Sequence, residues 1–287
     1  MKQIYYFIVS LRPKQWVKNI IVFIPLAFSG IAFNITSIEK IIIIFIIFSL
    51  FVWSTYIVND YQDRNKDRNH PRKKNRPLAS GKLNPALAII SAIVLWLFML
   101  YLSYSLWWLR VFCMFLAYLL NTMLYTFFLK KIEIIDIFSI AIGFVIRGLI
   151  GGFMIYVTLS PRLLIMLFFW ALWLWFLKRY QEVKLGWDSR SNLSKYNDHF
   201  LEQIISMITT VILIAYALYT FNSVQSQLMI VTLPLVSFGI IRYYYNIFFL
   251  KKYKESIEDI FLKDKFILLD VILYIILVIF LLLNKLK

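Results

Sequence analysis

Long apolar runs alternate with short polar segments along the whole chain. Continuous runs of Ile, Leu and Phe, such as residues 41–52, favour helices, because the strands of a membrane barrel alternate apolar and polar residues. Each run is near the length of about 20 residues that one bilayer crossing needs. Nine such windows lie at residues 18–36, 40–58, 86–105, 107–129, 136–157, 162–177, 204–222, 227–245 and 266–284. The pattern predicts an all-α integral membrane fold with nine transmembrane helices in a single polytopic domain, residues 1–287.

The composition agrees with a chain that lies almost entirely in a membrane. The residues are 61% hydrophobic, which excludes a water-soluble monomer because soluble domains are about half apolar. The single cysteine, Cys113, excludes a disulfide framework and a Cys-rich metal site. A net charge of +16 is also typical of nucleic-acid binding. Here the basic residues are confined to short loops between apolar windows, so we expect no nucleic-acid partner.

Lys and Arg residues are unequally divided between the two sides of the predicted membrane. With the amino terminus in the cytoplasm, 25 of the 31 basic residues lie on the cytoplasmic side and five on the other, while Arg147 lies inside the fifth window. Cytoplasmic loops are enriched in Lys and Arg. We therefore expect a plasma (inner) membrane protein with its carboxyl terminus outside. Nearly every acidic residue lies on the cytoplasmic side, which predicts that the functional site faces the cytoplasm.

Three aspartates continue the second window toward water on one helical face. At 100° per residue, Asp60, Asp63 and Asp67 fall within about 60° of one another. Carboxylates this close repel unless a cation lies among them, and oxygen ligands favour a hard cation such as Mg²⁺. The run His70-Pro71-Arg72-Lys73-Lys74-Asn75-Arg76-Pro77 then supplies cations for phosphate oxygens. The segment predicts a magnesium and phosphate site, and the alternative is a solvated, charge-balanced loop.

Other ionisable residues meet the same predicted face of the membrane. Lys178 and Glu182 follow the sixth window as i, i+4 neighbours, a spacing that is also common on surface helices. Arg147 lies a little past the middle of its window, where a charge is costly and usually meets a partner or a wet cavity. A bound anion would satisfy Arg147, and snorkelling is the alternative. On composition alone, interfacial Lys130 and Tyr125 are ordinary membrane anchors.

Several motifs together resemble the UbiA-type membrane prenyltransferase superfamily. Asn59-Asp60-x-x-Asp63-x-x-x-Asp67 is similar to its first Asp-rich motif. Further segments resemble the decaprenyl-phosphate phosphoribosyltransferase (DPPR synthase) branch: Arg12-Pro13-Lys14-Gln15-Trp16-Val17-Lys18-Asn19, residues 67–81, Gly143-Phe144-Val145-Ile146-Arg147, Lys178-Arg179-Tyr180-Gln181-Glu182, Tyr216-Ala217-Leu218-Tyr219-Thr220 and Arg242-Tyr243. The chain departs from the broader superfamily where a second pair of aspartates is usual, because it offers one acid, Glu182, beside cations.

The resemblance implies a fold, a reaction and a set of site residues. It implies nine helices around a central cavity, and attack of a polyprenyl phosphate on C1 of 5-phosphoribosyl 1-diphosphate to give polyprenyl-phosphoryl 5-phosphoribose and diphosphate. Asp63 and Asp67, helped by Asn59 and Asp60, are expected to hold Mg²⁺ on the diphosphate. Glu182 is expected to bind a ribose hydroxyl or a metal-bound water. The residues expected to bind phosphates as a group are Lys18, Arg76, Tyr125, Lys130, Arg147, Lys178 and Arg179.

Two other functions fit parts of the pattern. The first is an aromatic prenyltransferase that moves a prenyl group from its diphosphate to a quinone-type or haem-type ring. The cation-rich second motif argues against it, because fixed cations suit a second phosphorylated substrate. The second is a non-catalytic carrier of lipid or anion in which Arg147 lines a conduction path. Transporters often contain related halves, and the sequence has no halved pattern.

Overall fold

The computed structural model describes residues 2–10, 13–69, 73–186, 195–221, 227–255 and 257–284, and all regular structure in these ranges is helical. Arg12, residues 70–72 of the predicted cationic run, and Lys285 and Lys287 of the topology count lie outside them. The described chain divides into two compact units, Met1–Leu159 and Ser160–Lys287.

The helices are α1 (Lys2–Ser10), α2 (Ile24–Ala27, after a 3-10 helix at Pro13–Phe23), α3 (Ile35–Arg68), α4 (Pro85–Phe127), α5 (Ile135–Met154), α6 (Pro161–Lys184), α7 (Asp198–Phe221), α8 (Leu233–Phe248), α9 (Ile257–Lys263) and α10 (Lys265–Asn284).

Helix α3 carries the acidic segment out of the apolar core without a break. Its first turn is capped by Asn34, whose side chain accepts a hydrogen bond from the backbone N–H of Ser37 at 2.9 Å. The sequence has no Gly or Pro between residues 35 and 68, so nothing interrupts the backbone hydrogen bonds. The predicted continuation of the second window as a helix is therefore confirmed.

Helix α4 contains two membrane-length spans that lie side by side. Asn84 caps its first turn and Pro85 opens it. Both Ala88, near its start, and Met123, near its end, pack in the apolar cluster of Ile57. A straight α-helix would separate two residues 35 positions apart by about 52 Å. The element therefore reverses direction between its spans, Pro85–Ser105 and Leu109–Phe127, in agreement with the two predicted windows.

The apolar helices match the predicted windows except at the amino-terminal end. Seven stretches of the described chain are long and apolar enough to cross a membrane, and α10 matches the ninth window. The first window, 18–36, is wrong at its carboxyl end. The apolar helical stretch there is Trp16–Ala27, and a turn with Gly30 at φ +76° follows it. Because Asn34 caps the next helix, residues 35 and 36 belong to α3.

The carboxy-terminal unit is built from α6 to α10. Ser160 caps α6 by accepting a hydrogen bond from the N–H of Leu163 at 3.2 Å. Trp173, on α6, is fully buried and donates from Nε1 to Thr209 on α7 at 2.8 Å. Its ring also packs against Tyr243 of α8 at 5.3 Å between centroids. These contacts hold the three helices together around one aromatic core.

Candidate functional site

The carboxylates of Asp60 and Asp67 converge on one guanidinium. Arg76 donates from Nη1 to Oδ1 of Asp60 at 3.0 Å and to Oδ2 of Asp67 at 2.6 Å. Each aspartate is only 4% exposed. Two buried negative charges, seven residues apart on α3, are thus neutralised by one cation. Buried charges need such partners. The alternative of a solvated loop is excluded for these two aspartates.

The loop after α3 brings Arg76 back onto the helix. A short 3-10 turn, Lys73–Asn75, precedes Arg76. The carbonyl oxygen of Arg76 accepts a hydrogen bond from the N–H of Ser80 at 2.9 Å. Leu78 and Leu83 are buried against the apolar end of α3. Hydrophobic burial of the loop therefore positions the guanidinium beside the carboxylates.

Asp63, the third aspartate, is held by a lysine from a distant part of the sequence. Lys130 donates from Nζ to Oδ1 of Asp63 at 2.6 Å and to Oδ1 of Asn59 at 3.5 Å. The lysine lies in a 3-10 turn, Leu129–Lys131, between α4 and α5. Asn59, Asp63 and Lys130 therefore form a second pairing on the acidic face of α3, and Lys130 is more than a membrane anchor.

The donor set suits a hard cation that is shared with a ligand. Within the described ranges, no three His, Cys, Asp or Glu side chains are arranged as a complete metal cage. Mg²⁺ does not need one, because it typically takes one or two carboxylates and completes its shell with water and phosphate oxygens. Nη1 of Arg76 lies between oxygen atoms of Asp60 and Asp67, and carboxylate oxygens are ligands of the kind that Mg²⁺ prefers. The residues present thus fit Mg²⁺ on oxygen ligands.

Arg147 forms a separate buried cluster in the amino-terminal unit. Its Nε donates to Oδ1 of Asn19 at 2.9 Å, its Nη1 to the carbonyl of Gly143 at 2.8 Å, and its Nη2 to the hydroxyl of Tyr118 at 2.8 Å. Asn19 in turn donates to Oγ of Ser49 at 3.0 Å. These bonds tie the 3-10 helix, α3, α4 and α5 together.

The charge of Arg147 has only neutral partners among the described residues. The guanidinium is 4% exposed, and its hydrogen bonds reach amide, carbonyl and hydroxyl oxygens. The rings of Tyr118 and Phe144 lie 5.0 Å from its central carbon, and such contacts stabilise a cation modestly. Within the described part of the chain, three of its five N–H groups donate hydrogen bonds. A buried positive charge without a carboxylate is well suited to an anionic ligand.

The carboxy-terminal unit holds three of the predicted residues, Lys178, Arg179 and Glu182, at the end of α6. Arg179 is fully buried and donates from Nη1 to Oε2 of Glu182 at 2.6 Å. The predicted i, i+4 neighbour of Glu182, Lys178, places Nζ 4.4 Å from the centroid of the Trp175 ring. Glu182 therefore forms an i, i+3 ion pair with Arg179 in this unit.

A second polar cluster in this unit was not assigned from the sequence. Asp264 is 4% exposed and accepts hydrogen bonds from Asn246 at 2.8 Å and from Nε of Arg242 at 3.0 Å. It also caps α10, accepting from the N–H groups of Phe266 and Ile267. Burial alone would raise the pKa of the Asp264 carboxyl, but these bonds outweigh it and lower the pKa to about 2. The sequence could have predicted the capping role of Asp264, since an Asp directly before an apolar run is typical of a helix N-cap.

The structure thus brings some of the predicted residues together in the amino-terminal unit. The acidic cluster joins six of them: Asn59, Asp60, Asp63, Asp67, Arg76 and Lys130. Lys18 and Tyr125, in the same unit, are half-buried. Among the residues around Arg147, Tyr118 was not predicted, and Asn19 and Gly143 stood only within motifs, with no predicted contact to the guanidinium. A polar residue inside an apolar window, such as Asn19, was the available signal.

Comparison with known proteins gives concordant results. The UbiA prenyltransferase family model matches residues 21–269. A decaprenyl-phosphate phosphoribosyltransferase from Corynebacterium glutamicum is 34% identical over 223 residues, which cover 75% of this chain and 67% of that protein. One from Mycolicibacterium smegmatis is 32% identical over 223 residues, covering 74% of this chain and 69% of that protein.

The fold is also that of a solved membrane protein. A UbiA homolog from Archaeoglobus fulgidus bound to GPP and Mg²⁺ superposes with a TM-score of 0.73, covering 96% of this chain and 99% of that one. The sequence identity is 16%, so this likeness concerns the fold alone.

Proposed function

The chain belongs to the UbiA prenyltransferase family, and from this premise we propose that it transfers 5-phosphoribose from 5-phosphoribosyl 1-diphosphate to a polyprenyl phosphate. It is a multi-pass membrane protein and a transferase. Support for the choice of substrates comes first from the relatives named decaprenyl-phosphate phosphoribosyltransferase. The structural observation that carries the proposal is the placement of Arg76 and Lys130 among the three aspartates.

We assign the acidic face of α3 to the donor diphosphate. A bound Mg²⁺ would neutralise the diphosphate and stabilise the charge that develops as it leaves. Asp63 and Asp67 are the proposed main ligands, with Asn59 and Asp60 beside them. The side chains of the site position this leaving group and exclude water from it, so that C1 of the ribose can gain oxocarbenium character. Burial of Asp60 and Asp67 supports that task.

The acceptor phosphate needs position and charge neutralisation more than a base. A phosphate monoester is already anionic at neutral pH, so its oxygen can attack C1 without prior proton removal. Fixed cations near the attacking oxygen then supply most of the barrier reduction. We assign Arg147 to a substrate phosphate because its buried charge has only neutral partners in the described chain. The further residues proposed to bind substrate phosphates are Lys18, Tyr125, Lys178 and Arg179.

Glu182 is proposed to contact a ribose hydroxyl or a metal-bound water. Its pairing with the buried Arg179 fixes the carboxylate in one orientation, and a fixed acceptor is what recognition of a sugar hydroxyl needs.

The membrane arrangement follows from the charge distribution. We propose a plasma membrane location with the acidic cluster on the cytoplasmic side, because 25 of the 31 Lys and Arg residues fall on that side of the nine-crossing topology. Transfer of the polyprenyl tail from lipid to an apolar protein surface is nearly neutral. Affinity for the acceptor therefore depends mainly on its phosphate.

One assay separates the proposed reaction from its alternative. Membranes containing the protein are incubated with Mg²⁺ and either 5-phosphoribosyl 1-diphosphate plus polyprenyl phosphate, or a prenyl diphosphate plus an aromatic acid. The product is identified by mass, with membranes lacking the protein as the control. We expect a polyprenyl-phosphoryl 5-phosphoribose from the first mixture. Product from the second mixture alone would reject the proposal in favour of an aromatic prenyltransferase.

A further inference from the structure

Two cations of the chain occupy the carboxylates that the donor site needs. Arg76 bridges Asp60 and Asp67, and Lys130 holds Asp63. Neither cation lies on α3, since Arg76 belongs to the following loop and Lys130 to the turn before α5. Their side chains are 25% and 15% exposed, whereas Arg179 is fully buried. Both cations therefore retain access to solvent and to a ligand.

The ion pairs compete with a metal for the same oxygen atoms. A divalent cation held by Asp63 and Asp67 would compete with Nη1 of Arg76 for the carboxylate of Asp67 and with Nζ of Lys130 for the carboxylate of Asp63. Positive charges a few ångströms apart repel strongly in a partly buried site. Metal binding by itself therefore has to displace both cations from these aspartates. A diphosphate removes this difficulty, because its oxygens offer the displaced cations new partners.

We propose that Arg76 and Lys130 exchange partners during the binding of the donor. They hold the aspartates while no ligand is bound, and they turn to diphosphate oxygens when metal and diphosphate bind together. The exchange rests on the donor site assigned above, but it involves only the diphosphate and not the group attached to it. It makes metal and diphosphate binding cooperative, and the coupling is reciprocal by thermodynamic linkage.

The exchange predicts opposite effects of one substitution on two affinities. In Arg76→Gln, the carboxylates lose the competing cation, so the affinity for a divalent metal alone rises by at least about threefold. The affinity for a metal-bound diphosphate falls by at least about tenfold, because the displaced cation no longer contacts it. Coupling of about 5- to 150-fold is typical for linked sites, and we expect it to shrink toward unity. Lys130→Gln is expected to behave in the same way through Asp63.

The test is a binding measurement on the full-length protein in lipid nanodiscs. Mn²⁺ binding is followed by electron paramagnetic resonance, without and with methylene diphosphonate as a non-hydrolysable diphosphate. Arg64→Gln is the matched control. This substitution removes the same positive charge from the acidic segment, but Arg64 donates to the carbonyl of Tyr61 at 3.1 Å. We expect the control to keep the wild-type coupling. Thermal unfolding verifies that each variant is folded, and Lys130→Gln carries the test if Arg76→Gln does not fold.

Two results would overturn the exchange. If metal affinity alone is unchanged or lower in both variants while diphosphate binding weakens, the cations are simple phosphate ligands. If neither affinity changes, the cations do not take part in the site. Failure of the proposed function is a different outcome, since it is a product of the wrong mass in the membrane assay. The coupling between Mn²⁺ and methylene diphosphonate would still test the exchange in that case, because it is measured without either substrate.

Discussion

Nζ of Lys130 lies 2.6 Å from Oδ1 of Asp63, although 67 positions separate them in the sequence. The contact exists because α4 reverses direction between its two spans, so the turn that follows it returns to the end of α3 that carries the aspartates. The acidic segment is thereby part of a folded site that includes a lysine from another element. The predictions below concern this site, the Arg147 cluster and the packing that supports them.

Asn19→Asp tests whether the buried charge of Arg147 is kept for a ligand. The new carboxylate would lie where the amide oxygen now accepts from Nε of Arg147 at 2.9 Å, and it would neutralise the guanidinium from within the chain. We expect an unfolding temperature equal to or above that of the wild type. We expect the KM for one of the two substrates, polyprenyl phosphate or 5-phosphoribosyl 1-diphosphate, to rise at least about tenfold, which corresponds to about 1.4 kcal/mol of lost binding.

Ser49→Ala is the matched control for this variant. It removes the hydroxyl that accepts from Asn19 but leaves the charge of Arg147 unchanged, so both KM values should stay within about twofold of the wild type. A folded Asn19→Asp protein with both KM values unaltered would show that Arg147 is a structural residue.

Gly151→Ala should destabilise the amino-terminal unit. A Cβ atom at this position would lie 2.1 Å from the carbonyl oxygen of Val22, and backbone can relieve such a clash only by moving the two helices apart. We expect a loss of at least about 2 kcal/mol, at the upper end of overpacking effects. Thermal unfolding in detergent measures it. In Gly143→Ala the nearest atoms belong to side chains at 3.4–3.6 Å, so an equal loss there would contradict the packing argument.

Glu182→Gln separates the structural role of this carboxylate from a role in the reaction. The substitution removes the charge that pairs with the fully buried Arg179, and we expect a loss of about 3 kcal/mol in the free energy of unfolding. The double variant Arg179→Gln, Glu182→Gln removes both charges and should recover most of that loss. Because Arg179 is itself a proposed phosphate ligand, the double variant reports on stability alone. If Glu182 contacts substrate, the single variant Glu182→Gln has a lower kcat/KM than the wild type at a temperature at which both are folded. Wild-type kcat/KM in folded Glu182→Gln would refute the contact.

From the lowered pKa of Asp264 we predict that the free energy of unfolding depends on pH in the acid range. Because its pKa falls from the ordinary 3.8 to about 2 in the folded chain, the ionised form stabilises the fold above pH 4. The contribution is lost as the pH falls from about 4 to 2, and amounts to about 2 kcal/mol. Asp264→Asn should lower the unfolding temperature at pH 7 and flatten its pH dependence between pH 4 and 2. If the unfolding temperatures of variant and wild type change equally with pH between pH 4 and 2, other groups cause the acid sensitivity.

Local periodicity was sufficient to predict part of the fold and of the site. The all-helical architecture follows from the length and continuity of the apolar runs. The common face of Asp60, Asp63 and Asp67 follows from the 100° rotation per residue, since α3 contains no residue that interrupts a helix. Arg76 was expected at the same site as a phosphate ligand, because it belongs to the cationic run that follows the aspartates.

Long-range packing accounts for what the sequence did not reveal. Composition alone made Lys130 a membrane anchor. The two predicted windows of α4 return Lys130 to the face that carries the aspartates, but no local pattern indicates that it contacts Asp63. The link from Asn19 to Arg147 spans 128 positions and depends on the close approach of two helices at Gly151. The end of the first apolar helix at Ala27 was missed because the apolar character continues beyond it, whereas the turn at Gly30 is a backbone feature.

The central claim is that the acidic face of α3 receives the diphosphate as it leaves the donor. The most direct test is the rate of Mg²⁺-dependent diphosphate release from 5-phosphoribosyl 1-diphosphate in the presence of polyprenyl phosphate. Asp63→Asn and Asp67→Asn are compared with the wild type and with Glu39→Gln, which neutralises an exposed acid at the opposite end of the same helix. We predict that both aspartate variants, shown to be folded, lose at least about 100-fold in rate while Glu39→Gln is unaffected. Unchanged diphosphate release in the two aspartate variants would contradict the claim.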